Sequence, residues 1–246
     1  SQRFLLNMID PSVIATTENP PLLEVKLKLE GTDLFYDPPL DMARKDAAGK
    51  AGQDSVSILE RVNSWISDFY NVVKLVKRLD RQEGDFLKEM EEHEEVRFFV
   101  HRIITECEHN QTGCKEYRGI FMEYKHLWSK DIAKTLEEFL ETALTKTDEG
   151  ADVPALEMFD ERISHYKETV EVIKGLPDQS FQGWLKVDSR PIKNALGTWA
   201  GKWAMAYMDY LQKYITTELD NLIEFIASVN RGLTAEVEEN DTEQLI

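Results

Sequence analysis

The feature that most constrains the fold is the stretch from Pro191 to Asn230, whose apolar residues recur at the spacing of one unbroken helix. A short β-like piece, Trp184–Val187, precedes it. Asp188 and Ser189 follow, and their short polar side chains are typical of a helix start, as is a proline at the first helical position. At 1.5 Å per residue such a helix is about 60 Å long. Because a small compact domain does not need so long a rod, the pattern favours a lever, a fibre or a scaffold. The apolar positions are Ile192, Leu196, Trp199, Trp203, Tyr207, Tyr210, Tyr214, Leu219, Leu222, Phe225 or Ile226, and Val229.

The N-terminal part of the chain predicts a small β-hairpin. Apolar and charged residues alternate over Leu22–Glu30, which is the period of a half-buried strand. Gly31–Asp33 can turn the chain, and Leu34–Tyr36 can return as the second strand. Since a two-stranded ribbon alone is marginal in water, we expect this hairpin to pack on another part of the chain.

The middle of the chain predicts four further amphipathic helices joined by short connections. Apolar residues over Ser55–Leu79 alternate in steps of three and four, so we expect Trp65 and Phe69 to be buried in a seam between helices. A second helix starts near Asp85 and ends at a turn over Asn110–Gly113. The other two predicted helices run from that turn to about Lys146 and from Pro154 to Lys174.

Together these patterns predict a mainly α protein, an elongated helical bundle of about five long helices with one small β-hairpin near the N-terminus. The predicted divisions of the chain are residues 1–53 as an extended segment with the hairpin and a loop, 54–146 as a bundle of three helices, 147–232 as a continuation of the bundle with the long helix 191–230, and 233–246 as an acidic lead into a following region.

Charge and cysteine usage narrow the possible functions. The chain of 246 residues has a formal net charge of −17, which disfavours binding to duplex nucleic acid or to an anionic membrane surface. The 2 cysteines do not form a disulfide framework, so we expect a reducing compartment. No apolar run approaches the length of about 20 residues that a membrane helix needs. Because the sequence opens at Ser1 without methionine, we expect it to be part of a longer polypeptide.

None of the motifs that carry catalysis or cofactor binding is complete. Gly49 and Lys50 form a glycine–lysine pair, but no Ser or Thr follows and no strand precedes, so we do not expect a phosphate-binding loop. Cys107, His109 and Cys114 lie close in sequence, yet their spacing is not that of a zinc site and a fourth ligand is missing. We therefore expect no catalytic, cofactor-binding or metal-binding residues, and reduced, metal-free cysteines.

Other candidate features have simpler structural interpretations. Paired acids such as Glu137 and Glu138 are typical of a solvated helix face. His93 and His101 recur with His109 every eight residues, a spacing that drifts around a helix and does not build one site. The aromatic residues of the long helix could line a ligand groove, but their helical spacing favours packing in a core.

The residues from Trp184 onward read W-L-K-V-D-x-x-P-I-K-x-A-L-x-x-W-x-x-K-W-x-x-x-Y-x-x-Y-L. This pattern resembles a segment of dynein heavy chains that lies in the stem just before the linker, and it is closer to the axonemal than to the cytoplasmic type. Asp37 and Pro38 depart from the F-x-P-x-L element of that family. Other segments that resemble the family, in the same order, are Leu23–Leu29 with Leu34–Leu40, Ser57–Leu79, Tyr124–Trp128 with Phe139 and Leu140, Phe159–Tyr166, and Asn240–Leu245.

The resemblance covers about residues 22–246 and implies a mechanical, non-catalytic role. In this family the ATP and Mg²⁺ sites lie in the AAA+ ring, and the microtubule-binding site lies at the stalk tip. The resemblance therefore implies no ATP site here and carries no catalytic residue onto this chain. The implied partners are other dynein heavy chains, intermediate and light chains, and docking factors, with microtubules reached only through other parts of the complex. The implied location is the cytoplasm and the axoneme of a cilium or flagellum.

Two other classes of function stay open from the residues alone. A spectrin-like cytoskeletal scaffold or a tethering helical bundle would also use long amphipathic helices, and it predicts further repeats of the same bundle. A helical enzyme or ligand-binding domain predicts a polar pocket with clustered titratable groups.

Overall fold

The computed structural model describes residues 21–40, 56–75, 86–146 and 152–243. Helices dominate these ranges, so the predicted mainly α class is confirmed. The elements in chain order are β1 Leu23–Glu30, β2 Asp33–Asp37, α1 Ile58–Leu75, α2 Phe86–Glu92, α3 Glu94–Met122, α4 His126–Ser129, α5 Ile132–Ala143, β3 Leu144–Lys146, β4 Asp152–Pro154, α6 Leu156–Gly175, β5 Gln179–Gln182, β6 Leu185–Asp188 and α7 Arg190–Glu243.

The chain forms two compact units that do not follow chain order. The first unit contains residues 1–129 and 172–197, and the second contains residues 130–171 and 198–246. The predicted divisions, with boundaries at 53, 146 and 232, therefore follow the order of segments along the chain. They do not coincide with the two compact units.

The first unit contains a sheet of four strands in the order β2-β1-β6-β5. The predicted hairpin is its outer part, because β1 and β2 pair antiparallel, with Leu29 opposite Leu34. β1 also pairs in parallel with β6, with Val25 opposite Val187, and both side chains are fully buried. The strand predicted just before the long helix thus supplies the partner that an isolated hairpin lacks.

Helix α3 corrects the turn predicted at Asn110–Gly113, because it continues without a break from Glu94 to Met122. The residues that suggest a turn make tertiary contacts instead. The side-chain amide of Gln111 donates a hydrogen bond of 2.8 Å to the carbonyl oxygen of Leu40. A Cβ at Gly113 would lie 2.3 Å from Oε1 of Gln182, so glycine allows α3 to approach strand β5 closely.

Helix α1 begins with a capping box that the apolar pattern does not reveal. The backbone N–H of Glu60 donates to Oγ of Ser57 over 3.1 Å, and the N–H of Ser57 donates to Oε2 of Glu60 over 2.8 Å. Ile58 and Val62, in the first turns, are buried. The prediction that Trp65 and Phe69 are buried is wrong, since they are 44% and 47% exposed. The seam therefore buries only its first two positions among the described residues.

The second unit contains more β-structure than the sequence predicts. The helix expected to reach Lys146 is interrupted after Met122, still in the first unit. It resumes there as α4 and then in the second unit as α5. Thr145 of β3 pairs antiparallel with Val153 of β4, so Pro154 ends a strand, and α6 starts only at Leu156. The backbone N–H of Ala155 then donates to the carbonyl of Ala143 over 2.7 Å, which continues this pairing to the start of α6.

Helix α7 agrees with the predicted long helix and exceeds it. It starts at Arg190, one residue before the predicted position, and its 54 residues end at Glu243, within the predicted acidic lead. The helix predicted to start near Asp85 starts at Phe86, but it is divided at His93 into the two helices α2 and α3. The predicted loop over residues 41–53 and the Gly49–Lys50 pair lie outside the described residues.

Gly183 provides a sharp test of how the sheet meets α3. This residue joins β5 to β6 with a φ of 55°, and a Cβ here would lie 2.4 Å from Oδ1 of the buried Asn110. We expect Gly183→Ala to lower the free energy of unfolding by about 1–3 kcal/mol, because both the backbone conformation and the contact become unfavourable. Urea unfolding followed by circular dichroism measures this change.

Gly197 is the matched control, since it lies within α7 and a Cβ there would meet no atom within 4 Å. Gly197→Ala should raise the free energy of unfolding by about 0.5–1 kcal/mol, because alanine loses less conformational freedom in a helix. Equal effects of the two substitutions would contradict the assigned geometry at Gly183.

Candidate functional site

The first turn of α7 is tied to the end of α6 by one side chain, Lys193. Its ammonium group donates to the carbonyl oxygen of Lys174 over 3.0 Å and also to the carbonyl of Leu176. It forms an ion pair with Asp178, and its own side chain is only 11% exposed. The last carbonyls of a helix have no partners within that helix, and the helix dipole favours a cation there. Lys193 therefore satisfies the C-terminus of α6 from the N-terminus of α7.

A second set of hydrogen bonds fixes the same joint against α3. The hydroxyl of the buried Ser189 donates to the carbonyl oxygen of Pro177 over 2.6 Å. The Tyr117 hydroxyl lies 3.1 Å from the Ser189 hydroxyl and donates to the Pro177 carbonyl over 3.3 Å. Ser189 thus bridges the segments on either side of the β5–β6 hairpin. The sequence predicts that its side chain helps to cap α7, but the side chain does not do so. We call Lys193, Ser189, Tyr117, Pro177 and Asp178 the α6–α7 joint.

Asp188 supplies the polar cap of α7. Its carboxylate accepts hydrogen bonds from the backbone N–H of Arg190 over 3.0 Å and from the Arg190 guanidinium over 2.9 and 2.8 Å. The hydrogen bond from the Arg190 side chain lowers the pKa of Asp188, and the pairing keeps this nearly buried carboxyl ionised. A depressed pKa contributes stability above the ordinary carboxyl range, and this contribution is lost as the pH falls through the lowered value.

The second unit holds its part of α7 through aromatic contacts. The Phe139 ring meets Phe159 edge to face at 4.9 Å and Tyr207 at 5.1 Å. Tyr166 stacks on Trp203 with ring centroids 5.5 Å apart, and Trp203 and Tyr207 are almost fully buried. Burial raises the pKa of Tyr166 to about 12, so its hydroxyl stays neutral at physiological pH. Of the aromatic residues predicted for a core, Trp203 and Tyr207 are buried in one, whereas Trp199, Tyr210 and Tyr214 are half-buried.

The structure separates the residues considered for a metal site. Cys107 and Cys114 are free and fully buried in α3, whereas His109 is exposed. Burial raises the pKa of the Cys107 thiol to about 11 and that of Cys114 to about 12, so neither forms a reactive thiolate at neutral pH. Within the ranges that the structure describes, no three His, Cys, Asp or Glu side chains lie close enough to share a metal ion.

The other residues considered from the sequence lie on exposed helix surfaces, with the exception of Asn110. His93 and His101 are exposed, and so are Glu137 and Glu138, as predicted for a solvated helix face. Asn110, in the Asn-Gln-Thr sequon, is only 3% exposed, so its amide is not accessible for glycosylation. In the described part of the chain, none of the helices combines the length and the apolar character of a membrane-spanning segment.

Sequence reasoning did not find the roles of Lys193 and Tyr117. Lys193 is a polar residue in a first helical turn, where apolar periodicity carries no information, and its partners are mostly backbone carbonyls. The only available signal is its place in the P-I-K part of the dynein-like pattern.

Comparison with known proteins identifies the family. No family model matches the chain. The chain is 31% identical over 236 residues to the dynein beta chain of the flagellar outer arm of Chlamydomonas reinhardtii, an alignment that covers 96% of this chain. It is 28% identical over 256 residues to the ciliary dynein beta chain of Tripneustes gratilla and 27% identical over 265 residues to human dynein axonemal heavy chain 17.

The chain belongs to the axonemal dynein heavy chain family, of which it is one segment of a heavy chain. The predicted resemblance is thereby confirmed, including its axonemal type. The chain spans about 5% of the length of the relatives it matches, so the relatives contain far more than these two units. In this dynein segment the joint and the aromatic core are the hydrogen-bond and packing contacts that hold α7.

Lys193→Met tests the joint in the dynein segment. The substitution keeps the length of the side chain but leaves the carbonyls of Lys174 and Leu176 without their charged donor. We expect a loss of about 1–3 kcal/mol in the free energy of unfolding, measured by urea denaturation. Lys213→Met is the control, because Lys213 is exposed on the same helix. Equal denaturation midpoints for the two variants would refute the role of Lys193.

Proposed function

We propose that this segment is a non-catalytic part of the stem of an axonemal dynein heavy chain, just before the linker, and that it transmits force between the motor and the tail. The single observation that carries the proposal is helix α7, which runs for 54 residues without interruption. Its N-terminal turns belong to the first unit and the following turns to the second. A helix whose backbone hydrogen bonds are all made along its own axis resists bending.

The two sets of contacts support this mechanical role. A force along α7 would be resisted in the first unit by the hydrogen bonds and the ion pair of the α6–α7 joint. In the second unit it would be resisted by the rings of Phe139, Tyr166 and Tyr207, which interlock with few rotatable bonds. Both arrangements hold the helix by specific packing, which tolerates little sliding.

The location and partners follow from the proposed role. The matched relatives are named as flagellar, ciliary and axonemal dyneins, so the segment would act in the axoneme of a cilium or flagellum. Its neighbours would be other heavy chains, intermediate and light chains, and docking factors. Microtubules would be bound by other parts of the complex, because the net charge of −17 disfavours direct binding to an acidic polymer surface.

Under this proposal, ATP hydrolysis belongs to parts of the motor outside the segment. We expect residues 1–246 to bind no ATP, with or without Mg²⁺, because neither the joint nor the aromatic core offers backbone N–H groups and a lysine arranged for phosphates. Isothermal titration calorimetry checks this expectation. Saturable heat at a ratio of one ATP to one chain would contradict the proposed non-catalytic role.

Met205→Pro in the full-length motor tests the mechanical role. Met205 lies within α7 and is 56% exposed, so its replacement removes little packing. Proline deletes one backbone hydrogen bond and clashes with the preceding turn, at a cost of about 3 kcal/mol or more. We expect ATP turnover to persist while microtubule gliding slows or stops.

Met205→Ala is the matched control, because it shortens the same side chain and keeps the helix intact. It should leave both ATP turnover and gliding unchanged. A proportional loss of ATPase activity and gliding in the proline variant, with the segment still folded, would refute a separate lever. Unchanged gliding would show that the stiffness of α7 does not matter.

A further inference from the structure

Strands β1 and β6 connect the start of the sheet directly to the start of α7. The chain enters the sheet at Leu23, the first residue of β1, and leaves it for the last time at Asp188, the last residue of β6. The two strands are neighbours in the sheet and pair in parallel. One set of backbone hydrogen bonds therefore joins the point where the chain first enters the sheet to the point where it continues into α7.

The parallel pairing decides how this contact bears tension. It contains four paired positions, from Leu23 opposite Leu185 to Lys26 opposite Asp188. Tension that enters β1 at Leu23 and leaves β6 at Asp188 acts on opposite ends of the pairing, so its hydrogen bonds share the load. In an antiparallel pair the two loaded ends would lie side by side, and the bonds would open one after another.

The dimensions of the sheet give the direction of the load. Leu23 and Asp188 are three residue steps apart along the strands, which is about 10 Å, whereas neighbouring strands lie about 4.8 Å apart. Tension between these two residues therefore acts mainly along the strands and tends to slide one past the other. A slip by one residue would also turn the side chains of the moving strand to the wrong face of the sheet.

Side chains on both faces of the sheet support the pairing. On one face Val25 and Val187 lie opposite each other and are fully buried, as is Leu185. This burial keeps water away from that side of the strands, and a backbone group that loses its partner there stays unsatisfied. On the other face the ammonium group of Lys186 donates to the Glu24 carboxylate over 3.0 Å, across the same two strands.

A second route from the hairpin to α7 passes through α3 and depends on single side-chain contacts. The Tyr36 hydroxyl of β2 donates to the carbonyl oxygen of Cys114. On the same helix, the Tyr117 hydroxyl lies 3.1 Å from the hydroxyl of Ser189. Each of these contacts is one hydrogen bond, whereas the pairing of β1 with β6 loads several at once. The paired strands are therefore the stronger of the two routes.

We propose that β1 and β6 form a mechanical clamp, which passes tension from the chain before β1 to α7 through hydrogen bonds loaded in shear. The clamp protects the elements between the two strands from that tension, because the load does not pass through them. The inference deepens the proposed function and rests on it for the source of the tension. In that role the clamp keeps the first unit folded while the long helix bears load.

Single-molecule force spectroscopy of residues 1–246 tests the clamp through the direction of pulling. In the first geometry one handle is attached to the N-terminus and the other to Asn194→Cys, an exposed position in the first turns of α7. In the second geometry the N-terminal handle is moved to Thr32→Cys, an exposed position in the turn after β1. Both loads then act at the same end of the pairing. The native Cys107 and Cys114 are buried and should not react with the handles.

We expect the rupture force in the first geometry to exceed that in the second by about two- to fourfold. The four paired positions share the load in the first geometry, whereas in the second they open in sequence. Rupture releases the residues between Leu23 and Asp188, which lengthens the tether by up to roughly 550 Å and identifies the event. Equal rupture forces in the two geometries would overturn the clamp.

Two matched valine substitutions separate a load-bearing role from ordinary stability. Val187→Ala shortens a buried side chain of the clamp, and Val62→Ala shortens a buried side chain of α1, outside the load path. Both should lower the urea midpoint, because each leaves a cavity in the core of the same unit. Only Val187→Ala should lower the rupture force in the first geometry, since the contacts of α1 are still intact when the clamp yields.

A similar loss of rupture force in both valine variants would show that the whole core resists the load, and it would overturn the clamp. That result would leave the ATP-binding and Met205→Pro experiments untouched. Conversely, unchanged gliding in the Met205→Pro motor would refute the force-transmitting role, while a high rupture force in the first geometry would still establish the clamp. The failure of one proposal is therefore distinguishable from the failure of the other.

Discussion

The interaction on which the first unit depends is the one between Lys193 and the carbonyl groups that end α6. Helix ends leave backbone groups without partners, and burying them without a donor is costly. One ammonium group at the start of α7 satisfies two of these carbonyls, while Ser189 satisfies the carbonyl of Pro177. The end of one helix and the start of the next are therefore fixed by the same few contacts, with the β5–β6 hairpin between them.

The sheet and α3 complete this arrangement in the first unit. β6 leads directly into α7 and pairs in parallel with β1, so the N-terminal hairpin becomes part of the support of the long helix. α3 approaches this sheet closely because Gly113 leaves room for Gln182, and because Asn110 packs on Gly183. In the second unit the equivalent support is apolar, with Phe139 and Tyr166 packed against rings of α7. A mechanical role needs such rigid packing, and it needs no reactive group.

The elements with a long, regular period could be predicted from the sequence. The start of helix α7, the first hairpin and the strand before α7 lie within a residue or two of their predicted positions, whereas α7 continues well beyond its predicted end. The prediction failed where polar or turn-forming residues serve tertiary contacts, as Gln111 and Gly113 do in α3. It also failed at Trp65 and Phe69, because a heptad pattern states which residues share a face and does not state that the described chain covers it.

The sequence by itself determined the helical class, the start of α7 and the dynein-like order of its motifs, since periodicity and caps are local properties. Tertiary structure alone decided that Lys193 closes α6, that β1 pairs with β6, and that Leu219 and Leu222 of α7 are exposed among the described residues. These features join residues far apart in the chain, and their energies depend on which donor reaches which carbonyl and which surface meets water. Such pairings are set by packing in three dimensions, and local sequence patterns do not encode them.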